Sequence, residues 1–129
     1  MIAFAVQKAL FEAVSAAVAP VPVSDQAPRN QAYPLVHVGR VTGQPENTLD
    51  ARQTRCLVTL TAWSDYAGKK QLAEIVGQIS DALDDASLAL DGAEAVTCFV
   101  DRWDIAEPDD EGSNLIRTAS IIINILVEH

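Results

Sequence analysis

At 129 residues, with 49% hydrophobic and 21% charged residues, the chain has the composition of one ordinary globular domain with its own core, which favours neither a disordered nor a fibrous class. There are 18 Asp and Glu against 9 Lys and Arg, a net charge of -9. That balance argues against tight binding to nucleic acid, because such affinity rests on cationic side chains that displace counterions from phosphate.

The first segment, MIAFAVQKALFEAVSAAVAP, places Ile2, Val6, Leu10, Val14 and Val18 on one face and predicts a helix. A secretory signal is rejected, since no basic residue precedes the apolar part and Lys8 and Glu12 interrupt it. No uncharged run is long enough to span a bilayer, so a soluble protein is expected. A Pro-rich loop from Pro20 to Pro34 follows, with a short extended piece at Val21 to Val23. Residues 35–42 read as a strand, then GQPENTLDA as a polar connection. In the strand over 52–63, Cys56, Val58, Leu60 and Ala62 face one way; Arg55, Leu57, Thr59, Thr61 and Trp63 face the other.

The stretch SDYAGKKQLAEIVGQISDALDD carries Leu72, Ile75, Val76, Ile79 and Leu83 at helical spacing. Its charges run against the helix dipole: Lys69 and Lys70 sit near the start, and Asp81, Asp84 and Asp85 at the end. Two further strands, roughly 94–106 and 114–127, flank the acidic turn EPDDEGSN. Along the last strand Leu115, Ala119, Ile121, Ile123, Ile125 and Val127 form one apolar face, while Ile116, Ile122 and Leu126 lie on the other.

The order helix, strand, strand, helix, strand, strand, with hairpin-length links inside each strand pair, predicts a single α+β domain over residues 1–129. Its expected form is a two-layer sandwich, with a mainly antiparallel sheet and both helices packed on one face. The second sheet face is then too apolar to be left open. Leu57, Trp63, Ile122 and Leu126 are the expected contacts with a partner subunit.

Catalytic chemistry finds little footing. Gly68-Lys69-Lys70 lacks the earlier glycine and the following hydroxyl of a phosphate-binding loop. Asp101, Asp104 and Glu107 are the densest carboxylates, but strict strand alternation would separate Asp101 from Asp104. His37 lies mid-strand, His129 is terminal, and neither Cys56 nor Cys98 has a basic neighbour or a Cys-x-x-Cys partner. The two cysteines read as buried residues of a reducing compartment. No enzyme activity, cofactor or metal is expected.

The succession VSDQAP, AYPLVHVG, LVTLTAWSDYAGKKQLAEIVGQISDALDD and VTCFVDRWDIAEPDDEGSNLIRTASIIINILVEH resembles the tail completion, or tail terminator, proteins of long-tailed phages and gene transfer agents. The pattern departs at Asp65, where the family often has a basic residue, and in a short link after the first helix. The resemblance implies a structural virion protein, a ring, expected as a hexamer, that caps the head-proximal end of the tail tube. It would join the tail tube protein to the head connector or adaptor protein, and DNA would pass through without specific binding. Assembly would take place in the host cytoplasm, with no membrane partner.

In such a ring the subunit contacts would include Leu57, Trp63, Ile122 and Leu126. Opposite charges at Lys69, Lys70 and at Asp84, Asp85 would favour one-way docking. Asp109, Asp110 and Glu111 would border the DNA path and repel it. The alternatives are a neck or head-to-tail adaptor protein of the same particle and a small α+β enzyme, the latter marked by a deep pocket lined with titratable groups.

Overall fold

The structure is a computed structural model that describes residues 2–24, 34–65, 70–90, 92–106 and 117–129. Two helices, α1 (Ile2–Val18) and α2 (Lys70–Leu83), accompany six strands: β1 (Val23–Ser24), β2 (Leu35–Pro45), β3 (Gln53–Ser64), β4 (Ala89–Leu90), β5 (Ala93–Ile105) and β6 (Arg117–Glu128). They form one sheet in the order β1-β2-β3-β6-β5-β4. All pairings are antiparallel except β1 with β2. The α+β sandwich with both helices on one sheet face is therefore present.

The core is the layer between that face and the helices. Val6, Leu10, Val14 and Val18 of α1 and Leu72, Ile75, Val76, Ile79 and Leu83 of α2 are buried against inward residues of the sheet. On β3 these are Cys56, Val58, Leu60 and Ala62, and on β6 Ala119, Ile121, Ile123, Ile125 and Val127, the alternation read from the sequence. Burial of these apolar faces, more than helix propensity, holds α1 and α2 in place. Ser64, at the end of β3, is buried and donates its hydroxyl to Gln71 Oε1 in the first turn of α2, which ties the strand end to the helix start. No helix among the described residues is long and apolar enough to cross a membrane.

β2 runs to Pro45, beyond the expected end at residue 42, through the pairs Gly43 with Cys56, Gln44 with Arg55 and Pro45 with Thr54. Gly and Pro are tolerated there because β2 is bonded on one side only over this stretch, and an edge strand does not need every amide. β5 contains two register shifts, between Ala95 and Thr97 and between Val100 and Arg102. Asp101 occupies the second, so simple alternation does not fix its direction relative to Asp104, which pairs with Ser120.

Cys56 and Cys98 are free and buried on the inner face, and Cys98 Sγ lies 3.3 Å from the Leu83 carbonyl oxygen, to which it donates. Burial, and secondarily the Asp84 carboxylate, push the Cys98 thiol from 9.0 up to about 11. Native protein at pH 8 is therefore expected to resist alkylation at both thiols, and unfolded protein to react at both. The unfolded chain loses the Cys98 proton first, so stability should fall as pH rises from about 9 to about 11 and then level off. Urea titrations across that range, compared with Cys98→Ser, check the sign; an unchanged slope in the variant would remove the assignment.

Candidate assembly surface

The sheet face away from the helices is covered by no described element. Its centre is a row across three strands, in which Leu57 of β3 pairs with Asn124 of β6, and Asn124 with Phe99 of β5. Leu57 and Phe99 are each 37% exposed, and the half-buried Ile122 and Leu126 flank Asn124 two residues away on β6. Four apolar side chains thus surround one amide. Asn124 is buried to 8% exposure, and its Oδ1 accepts from Arg55 Nη1 at 2.7 Å. Arg55 is itself gripped by Glu46, whose two carboxylate oxygens accept from Nε at 3.1 Å each, with Oε2 also accepting from Nη2 at 2.7 Å. This hydrogen bonding holds the Glu46 carboxyl below its ordinary value. Such an exposed ion pair adds little stability. Its effect is positional, fixing a planar guanidinium over the buried amide at the rim of the apolar group.

Trp63 does not belong to that group. It lies six residues along β3 from Leu57, about 20 Å at strand spacing, and its ring stands 5.8 Å from that of His37. The four expected contact residues therefore fall into a cluster of three, Leu57, Ile122 and Leu126, and a separate Trp63. Phe99, missed in the sequence reading, completes the cluster from the edge strand.

The end of α2 explains part of its reversed charge. Asp84 Oδ1 accepts the Val100 amide of β5 at 3.1 Å, beside the second register shift. Asp85 adopts φ 60°, the left-handed residue that commonly follows a helix. Asp and Asn enter that conformation more readily than most residues, so one aspartate serves as a strand ligand and the other as a stop. Asp81, Asp85 and Lys70 are exposed; Lys69 lies outside the described residues.

Asp85→Gly is expected to gain about 0.5–1 kcal/mol, since relief of the left-handed strain exceeds the added entropy of the unfolded chain. Asp84→Ala is expected to lose about 1 kcal/mol with the Val100 hydrogen bond. Urea denaturation of the two variants side by side checks both signs. A loss in Asp85→Gly as large as that in Asp84→Ala would contradict this division of labour.

A model of the family described as tail completion protein gp17 matches residues 5–125. The chain belongs to that family. It is a phage tail structural protein on this ground, and its fold agrees. A chain of a solved structure, "Virion of native gene transfer agent (GTA) particle", superposes with a TM-score of 0.82 at 19% identity, covering 99% of this chain and 98% of that one. A second solved chain gives a TM-score of 0.55 at 13% identity over 95% of this chain and 91% of its own. No curated protein sequence matches.

Among the described residues no group of three or more His, Cys, Asp or Glu is placed to hold a metal. A groove of 440 Å³ between the end of α2 and β5 is lined by Ser80, Asp84, Val100, Asp101, Arg102 and Trp103. Trp103 is 56% exposed and Val96 47% exposed, so the outermost long strand carries much of the apolar surface. Leu115, Ile116 and the acidic turn with Asp109, Asp110 and Glu111 lie outside the described residues.

Proposed function

We propose that this tail completion protein assembles as a six-membered ring that caps the head-proximal end of the tail tube and joins it to the head connector or adaptor protein. The observation that carries the ring is the uncovered sheet face, where Leu57 and Phe99 stand exposed beside Ile122 and Leu126. An apolar group on one side of a subunit fits a heterologous contact, which closes into a ring when a different patch of the next copy meets it. Lys70 and Asp85 keep exposed charges at opposite ends of α2 and contribute to one-way docking. In this reading Asp109, Asp110 and Glu111, which lie outside the described residues, would border the lumen, where a chain of net charge -9 repels phosphate and lets DNA pass without binding. The protein then resides in the virion, at the head end of the tail, after assembly in the host cytoplasm.

Electron microscopy of the purified protein, alone and mixed with isolated tail tubes, tests this reading. Six-fold rings seated on one end of each tube are the expected result. Protein that stays monomeric at high concentration and leaves both tube ends bare would overturn it.

A further inference from the structure

The strand order leaves two long edges that the short outer strands do not protect. β1 pairs only with Val36 and His37 of β2, and β4 only with Ala93 and Glu94 of β5. Among the described residues, Val38 to Gln44 of β2, whose register shifts between Val38 and Val41, and Val96 to Ile105 of β5, with its shift at Val100, therefore have no strand on their outer side. Long open edges are templates for another strand. Among the described residues, three of the six exposed large hydrophobic side chains, Val96, Phe99 and Trp103, lie on the β5 edge.

We infer that successive copies of this chain join by strand pairing, the β5 edge of one copy against the β2 edge of the next. This inference rests on the ring reading and adds to it: strand pairing joins the two edges, while Leu57, two strands in from β5, is left to the face contact of that reading. Strand direction supports it. β2 opposes β3, β3 opposes β6 and β6 opposes β5, so β2 and β5 of one sheet run in opposite senses. Rotation about an axis along the strands preserves those senses and brings β2 of one copy antiparallel to β5 of the next.

Charge selects the same partner. The open stretch of β2 carries Arg40 alone, whereas that of β5 carries Asp101, Arg102 and Asp104. Pairing unlike edges thus joins a net positive stretch to a net negative one, and pairing two β5 edges joins two negative ones. Phe99 is the member of the open-face apolar group nearest the neighbour, which covers it with β2 side chains. The Val100 amide is already donated to Asp84, so the new ladder forms on either side of it.

Disulfide formation tests the contact, because the bond requires Cα atoms within about 7 Å. Arg40, Thr42 and Gln44, each replaced by Cys, are combined in one full-length chain with Thr97→Cys, Asp101→Cys or Asp104→Cys. Nine double variants cover the possible registers, and the buried native thiols serve as the unlinked background. The expected result is that neighbouring pairs in register link copies into covalent multimers up to the size of the ring, while each single variant stays unlinked. Rings visible by microscopy in which none of the nine pairs links would overturn the strand contact and leave the ring intact. Absence of rings from the parent protein, with and without tubes, would overturn the ring and this contact with it. Thr97→Lys with Trp103→Lys gives a second readout: circular dichroism unchanged and the ring species lost. Rings that survive both lysines would count against the inference.

Discussion

Ile123→Ala is expected to lower the unfolding free energy by about 2–5 kcal/mol, a large part of the stability of a domain of this size. Ile123 is fully buried at the middle of β6, between Val58 on β3 and Val100 on β5, and faces the helical layer. Deleting three carbons there removes transfer free energy and leaves a cavity that a strand bonded on both sides cannot collapse to fill. Leu57→Ala, one pair further along and on the opposite face, is expected to stay within about 0.5 kcal/mol, because that side chain is already partly in water. Urea denaturation of both variants, with the slope of unfolding compared to the parent, measures the contrast. Equal losses would mean that the open face is packed within the subunit and not reserved for another.

Sequence reading reached the elements whose evidence is local. The alternation of Cys56, Val58, Leu60 and Ala62 and the helical spacing of Leu72, Ile75, Val76, Ile79 and Leu83 each concern one element, and each face is buried as the pattern requires. What it missed depends on sheet order. Phe99 and Trp103 sit in a strand whose register slips at Ala95 and Val100, and their importance arises only when β5 is known to be an outer strand. Such slips break the period of two on which face assignment depends. β4 is two residues long, below the length at which a pattern can be seen.

The reversed charges of α2 show the same divide. The helix dipole disfavours Asp84, at a cost of a few tenths of a kcal/mol to about 1 kcal/mol. The amide that offsets this belongs to Val100, sixteen residues away on a different layer. Lys70 finds no such account among the residues described here, and its exposure leaves docking as its proposed role.

Leu57→Asp combined with Phe99→Asp is expected to leave the subunit folded and to abolish assembly. Both side chains are more than a third exposed in the isolated subunit, so a carboxylate at either place remains hydrated and the core beneath is untouched. In the assembled particle the same positions would be dry. Each substitution then forfeits the burial of the third of the side chain still exposed, about 0.5–1 kcal/mol, and adds the larger cost of burying an unpaired charge. With tenfold in affinity for every 1.4 kcal/mol, the pair weakens each contact by more than about a thousandfold. A ring repeats that loss at every junction. Sedimentation of the purified variant, together with microscopy of tubes incubated with it, measures the outcome. Folded monomer and bare tube ends are expected, and rings of normal appearance would show that this face stays in solvent in the particle.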